Sequence, residues 1–175
     1  MQYRKAIMAD IPQIASLINS YAAQGLMLRR TLLQLYESVR DFTVAVDDAG
    51  EVVAVGGLHI MWYDLAEIRS LAVKPGLVKR GVGRGLVEFL VEEARAMGLK
   101  RVFALTYQQA FFEKCGFRVI AKEKLPQKVY SECVYCDKFE ACDEIAMIRL
   151  LVPEEELPAD DGFEIPLVAM PKWRR

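Results

Sequence analysis

Arg80-Gly81-Val82-Gly83-Arg84-Gly85 sets three alternating glycines and two arginines between an apolar, β-branched stretch and an amphipathic one. Glycine tolerates positive φ and lets backbone approach a ligand without a Cβ in the way. Where such a loop runs from a strand into a helix, several N–H groups converge on one concavity, and the helix dipole favours negative charge there. Arg80 and Arg84 add mobile positive charge, so the natural guest is a phosphate or pyrophosphate. A P-loop is excluded, because no Gly-Lys-Ser/Thr follows the glycines. A dinucleotide fingerprint fails at its third glycine, where Leu86 stands. A glycine-rich connection without a ligand stays open as the alternative.

Other reactive residues say less alone. His59, the only histidine, lies in a candidate strand beside Gly56-Gly57; a lone half-buried histidine is more often structural than catalytic. Cys133-x₂-Cys136-x₅-Cys142 holds half of a structural zinc pattern, but the local spacing lacks a fourth ligand. Cys115 and Asp143 fit that role poorly, so reduced structural thiols and no metal are expected.

The elements that must hold these residues follow from periodicity. Residues 3–8 read as a strand. Asp10 reads as the N-cap, with Pro12 in the first turn, of a helix over 11–23 burying Ile14, Leu17, Ile18 and Tyr21. Gly25 ends it, and a second helix from Thr31 to Arg40 turns Leu32, Leu35, Tyr36 and Val39 inward. Phe42–Val46 and Glu51–Met61 form a hairpin around Asp47-Asp48-Ala49-Gly50, with a bulge or close approach at Gly56-Gly57. A strand over Leu65–Val73 ends at Lys74-Pro75-Gly76. The glycine loop then opens a helix over 82–97, with Val82, Leu86, Phe89, Leu90 and Ala94 buried and Gly98 at its C-terminal cap. Strand 101–105, a short helix 108–115 and strand 117–121 make a second β-α-β unit. Residues 122–143 read as loop, and 144–152 as a last strand. The fold class is α+β, a mixed central sheet with helices on both faces. Residues 1–152 form one domain and 153–175 a tail. The tail's apolar Ile165–Met170 is read as a dimer contact or as cover for its own sheet.

Composition sets the bounds. The 175 residues suit one domain, and 53% hydrophobic with 27% charged residues supplies a core and argues against disorder. Twenty-three basic against 24 acidic residues lack the basic excess of a nucleic-acid binder. No apolar run reaches the roughly 18–20 residues that span a bilayer, and the N-terminal stretch carries no signal-peptide block. Four cysteines are too few for a disulfide scaffold. A cytoplasmic protein is expected, with no nucleic-acid or membrane partner.

Arg80-x-x-Gly83-x-Gly85, after a strand ending Leu71-Ala72-Val73 and before an amphipathic helix, resembles the acetyl-CoA signature of the GNAT N-acetyltransferases. Leu105-Thr106 and Phe111-Phe112-Glu113-Lys114-Cys115-Gly116-Phe117 resemble the family segment beside the pantetheine arm, and the element order over residues 1–150 is similar. Gly25–Thr31, Asp64–Val73, Leu125–Val129 and Cys133–Met147 resemble, more closely, short-form N-acetylglutamate synthases without a kinase-like domain.

The resemblance implies acetyl transfer from acetyl-CoA to an amine. It assigns the cofactor to Leu71, Ala72, Val73, the run Lys79, Arg80, Gly81, Val82, Gly83, Arg84, Gly85, and Phe112. A backbone N–H near Leu71 polarises the thioester carbonyl. An α-amino group with a pKa of roughly 8 is mostly protonated at pH 7, so a base is required. Strand alternation puts Glu67, Arg69, Leu71 and Val73 on one face, and Ala66-Glu67-Ile68 resembles the histone-acetyltransferase branch, whose glutamate is the base. Glu67 is that base or a cross-strand ion-pair partner. The family's acid is a tyrosine in the second position of its F-Y-E-K phrase, and here Phe112 occupies it. Tyr107 and Cys115 are the nearby substitutes. The implied acceptor is an amino acid, L-glutamate or L-glutamine, in arginine biosynthesis. Its carboxylates call for cationic holds, which the matching phrases supply in Arg30, Arg69 and Lys128. The alternatives are acetylation of a protein N-terminus or a small-molecule amine, or a CoA-sensing module without turnover.

Overall fold

The computed structural model describes residues 1–136 and 139–159. Its elements are β1 (Gln2–Lys5), α1 (Ile11–Ala22), α2 (Leu32–Glu37), β2 (Phe42–Val46), β3 (Val52–Trp62), β4 (Leu65–Val73), α3 (Val82–Ala96), β5 (Arg101–Thr106), α4 (Gln109–Lys114), β6 (Arg118–Val119), α5 (Pro126–Ser131) and β7 (Ile145–Leu150). The strands form a seven-stranded sheet in the order β1-β2-β3-β4-β5-β7-β6. Only β4 and β5 run parallel. Because β7 inserts between β5 and β6, the expected second β-α-β unit is instead an antiparallel pairing of both strands with β7.

Each face of the sheet carries its own core. On one, α3 turns Val87, Leu90, Val91 and Ala94 onto Leu58, Ile68, Val102 and Met147. On the other, α1 buries Ile11, Ile14, Leu17 and Ile18 with Leu35, Phe42 and Val55. Full burial of such side chains stabilises by roughly 1.5–3 kcal/mol each. The mixed sheet with helices on both faces is therefore as expected.

Several local expectations change. Asp10 precedes α1, but its carboxylate turns backwards, accepting from Arg4 Nη1 and Nη2 at 2.6 and 2.9 Å and from the Ile7 N–H at 2.8 Å. The buried guanidinium contact outcompetes the helix amides and holds the Asp10 carboxyl below its ordinary pKa. Helix α2 is shorter than expected, and Leu32 and Tyr36 are exposed while Leu35 is buried. Residues 126–131, read as loop, are helix α5, started by Pro126. The tail patch Ile165–Met170 lies outside the described residues.

The change that matters most is in β4. Gly57 pairs with Arg69 and Val55 with Ala72, so Ser70 and Leu71 together stand opposite Gly56. Ser70 occupies the left-handed region, with φ 52°. This bulge reverses the alternation midway. Glu67 and Arg69 face the α1 side, as expected, but Leu71 and Val73 pack towards α3. Gly56 makes room for that reversal: a Cβ there would meet Leu71 Cδ1 at 3.0 Å and Leu90 Cδ1 at 3.1 Å.

Candidate active site

The parallel ladder between β4 and β5 is short. It runs from Leu65–Arg101 to Glu67–Phe103 and stops, although β4 continues to Val73 and β5 to Thr106. Beyond Glu67 the two strands diverge into a wedge. A cavity of about 1340 Å³ fills it, lined by Ile68–Val73 on one wall and Leu105–Gln108 with Phe111 and Phe112 on the other. That exceeds the roughly 300–1,000 Å³ of an ordinary small-molecule pocket, so there is room for two ligands.

One end of the cavity is the glycine loop. Gly81, with φ 85°, is the residue before α3, and the first helical bond runs from Gly85 N–H to Gly81 O at 2.9 Å. The amides of Val82, Gly83 and Arg84 therefore have no intrahelical acceptor. Lys79, also left-handed at φ 65°, lines the cavity with Gly81, Gly83 and Arg84. Arg80, Val82 and Gly85 do not line it. Val82 is buried in the core. Gly85 is a glycine for packing rather than for φ: a Cβ there would lie 2.2 Å from the Tyr3 hydroxyl, which donates to Val82 O at 3.2 Å. Of the three glycines only Gly81 uses positive φ. Gly83 lies under Val73 and Phe111, at 3.3 and 3.5 Å from its missing Cβ. Phe112 is buried, stacked edge-on between Phe111 and Phe117.

The other end is a charge cluster. Glu67 Oε2 accepts from Lys128 Nζ at 2.9 Å, and both groups are almost fully buried. Lys128 also bonds Glu132, one helical turn along α5. Arg69 donates from Nη1 to Glu132 Oε1 at 3.1 Å and from Nη2 to Asp41 Oδ2 at 3.4 Å. Asp41 in turn holds His59 Nδ1 at 2.7 Å. Burial presses the Lys128 ammonium down, but the Glu67 and Glu132 charges outweigh it and raise its pKa above the ordinary value. Burial likewise pushes the Glu132 carboxyl up, and Lys128, Arg69 and His59 reverse this and leave it lowered.

Arg30 differs from the other cations. Its backbone is clamped by Asn19 of α1, whose Nδ2 donates to Arg30 O at 2.9 Å and whose Oδ1 accepts the Arg30 N–H at 3.1 Å. Its side chain lines the cavity, and Nε is buried without a partner among the described residues. Arg69 Nε is likewise buried and unpartnered. Burial and the like charge of Arg69 lower the Arg30 pKa. Two neighbouring guanidiniums with unpaired buried donors make a site for an anion, and a planar carboxylate matches their geometry.

Tyr107 and Cys115 both border the cavity. The Tyr107 hydroxyl donates to Asp143 Oδ1 at 2.8 Å, and that bond pushes its pKa up to about 12. Cys115 is buried, and desolvation raises its thiol. Cys133, Cys136 and Cys142 are free thiols on the cavity wall, and among the described residues no group of three or more His, Cys, Asp or Glu converges on a metal position.

Of the residues expected at the site, Glu67, Arg30, Arg69, Lys128, Lys79, Gly81, Gly83, Arg84, Leu71, Ala72, Val73 and Phe112 share this one cavity. Asp41, His59, Asn19 and Glu132 are additional members of the cluster or its support. Glu132 follows Lys128 by four residues, a spacing that pairs side chains only where the segment is helical, and the segment reads as loop in the sequence.

Known proteins resemble this chain in sequence and in fold. An uncharacterized N-acetyltransferase of Chlorobaculum tepidum is 40% identical over 148 residues, 85% of this chain and 95% of that protein. An amino-acid acetyltransferase of Mycobacterium tuberculosis is 40% identical over 131 residues, 74% of this chain and 75% of its own length. The structure of N-acetylglutamate synthase from Neisseria gonorrhoeae, complexed with coenzyme A and N-acetyl-glutamate, superposes with a TM-score of 0.75 at 27% identity, covering 86% of this chain. The chain spans 35% of that longer protein. The acetyltransferase (GNAT) family model matches residues 11–117, and with these relatives it establishes that the chain belongs to the GNAT acetyltransferase family.

Proposed function

We propose that this protein transfers an acetyl group from acetyl-CoA to the α-amino group of L-glutamate or L-glutamine, the opening reaction of arginine biosynthesis. The carrying observation is that one cavity joins the amide-lined N-terminus of α3 to a buried carboxylate flanked by cations. Acetyl-CoA, when bound, supplies an activated acetyl thioester. The residues present suit it. The Gly83 and Arg84 amides at the start of α3, with the Lys79 and Arg84 side chains, suit a diphosphate. The β5-facing edge of β4 over Leu71–Val73 pairs with no strand, although Tyr21 Oη donates to Val73 O at 2.6 Å, and it suits an amide-bearing arm, as an added strand would. Phe112 packs the wall beneath that arm. Gly81 and Gly85 shape the loop.

At the other end Glu67 takes a proton from the acceptor's ammonium, directly or through water, and Lys128 holds the resulting carboxyl in place. Arg30 and Arg69 line the cavity and offer guanidinium charge to the α-carboxylate. Two of the three Lys128 N–H groups are committed to Glu67 and Glu132, leaving one for the acceptor's side chain. The amino-acid reading draws support from the relatives named amino-acid acetyltransferase and from the product-bound synthase.

The test is a thiol-release assay of acetyl-CoA against each of the twenty amino acids. Release of CoA that depends on glutamate or glutamine supports the reading. CoA binding without turnover of any amine indicates a sensor, and turnover confined to another amine removes the assignment.

A further inference from the structure

We propose that Glu132 is a specificity-determining residue, which sets the charge that the acceptor's side chain can carry by occupying both Arg69 and Lys128. The inference rests on the amino-acid acetyltransfer proposed above and deepens it. Glu132 sits just beyond the end of α5 with its side chain 37% exposed, and its two oxygens face two different cations: Oε1 accepts from Arg69 at 3.1 Å and Oε2 from Lys128. His59 Nε2 lies 3.8 Å from Oε1. Each of these cations already has a second carboxylate, Asp41 for Arg69 and Glu67 for Lys128.

Charge balance follows. Within the cluster at this end of the cavity, Arg30, Arg69 and Lys128, with the His59 imidazole beside them, face Asp41, Glu67 and Glu132. An α-carboxylate that settles on Arg30 meets a guanidinium that no carboxylate pairs among the described residues. A second carboxylate on the acceptor must instead share Lys128 or Arg69 with Glu132, and it brings the enclosed cluster to an excess of negative charge. A neutral ω-amide of the same shape avoids both costs. Glu67 cannot be the selector, because its proposed work is on the ammonium, and Asp41 is turned to His59 on the far side of Arg69. Glu132 is the group whose removal frees a donor on each of two cations without touching the reacting amine.

The experiment measures kcat/KM for glutamate and for glutamine in the parent and in Glu132→Gln, with Glu132→Asp as the charge-keeping control. Glutamine at 132 still offers an oxygen to Lys128 but removes the charge. The ratio of glutamate to glutamine efficiency is expected to rise about tenfold, a modest figure for one charge a few ångströms away in a half-exposed site. The aspartate variant is expected to keep the parent ratio. A merely structural role lowers both efficiencies together, so an unchanged ratio in the glutamine variant overturns the proposal. Should Glu132→Gln not fold, Glu132→Ser is measured in the same way and judged by the same ratio. Absence of turnover with either amino acid in the parent is a failure of the proposed function instead, and is told apart in the first measurement.

Discussion

Glu67 and Lys128 form a pair that sequence spacing alone could not join, being 61 positions apart and 2.9 Å from each other. Glutamine at position 67 keeps an oxygen for Lys128 while losing the basic group. Glu67→Gln is therefore expected to lower kcat by about 10²–10⁴-fold. The KM for acetyl-CoA stays near the parent value. An unchanged kcat assigns Glu67 to the ion pair alone. The neighbouring groups also give stability a defined pH window. Glu132 is lowered in the native state, so its contribution is fully present above the unfolded carboxylate value of roughly 4.3 and fades as pH falls through the lower native value. Lys128 is raised, so its contribution is present below roughly 10.4 and is lost as pH climbs through the raised native value. Melting temperatures measured across pH are expected to fall at both ends, and Glu132→Gln is expected to flatten part of the acid-side fall. Equal acid-side curves for parent and variant contradict this account.

Elements carry the next set of constraints, and here two glycines of one motif answer to different physics. Gly81 needs φ 85° but has open space where a Cβ would go, so Gly81→Ala is expected to cost about 1 kcal/mol of strain. Gly85 has ordinary helical backbone and no space, with Tyr3 across it at 2.2 Å. Gly85→Ala must push the Tyr3 ring aside and break its bond to Val82 O, at an expected cost of about 1–3 kcal/mol. Chemical denaturation separates the two: measured against Tyr3→Ala alone, Gly85→Ala is expected to lose most of its cost, whereas Gly81→Ala keeps its own. If Gly85→Ala keeps its full cost in that background, the steric account fails. Much at this scale was legible beforehand. The period-2 runs placed β2 to β4, and the apolar stripe placed α3, because one-sided burial writes itself into residue spacing. The reversal of β4 was not legible: polar–apolar alternation holds over Glu67-Ile68-Arg69 and lapses at Ser70, but a lapse in letters does not say that Ser70 inserts an extra residue in space. Gly56 hinted at close approach but not at which neighbour would approach. Helix α5 was missed because a six-residue span opened by Pro126 is too short to show an apolar period.

For the molecule as a whole, the order of helices and strands apart from α5 could be read from the chain, and so could the location of the glycine loop. Two things could not: that the β4–β5 ladder ends after three residue pairs, and that four separate segments bring Arg30, Asp41, Glu67 with Arg69, and Lys128 together. Both depend on tertiary packing. Their consequence is mechanical. The sheet is two parts, β1–β4 and β5–β7, joined across a short parallel ladder, and the cavity opens where that ladder stops. A molecule filling the wedge touches β4 and the start of α3 on one side and β5 with α4 on the other, replacing the missing pairing. Ligand that binds only the folded state stabilises by about 2.7 kcal/mol at one hundred times its Kd. For a chain of this size each kcal/mol raises the melting temperature by roughly 2–4 °C. Saturating acetyl-CoA is therefore expected to raise the melting temperature by about 5–10 °C. ATP, with a similar diphosphate but no arm to lie along β4, should give a clearly smaller shift. The added protection against amide hydrogen exchange should fall on Leu71–Val73 as well as on the first turn of α3. An equal shift with ATP, or protection confined to the helix, means that the loop binds phosphate while the wedge takes no part.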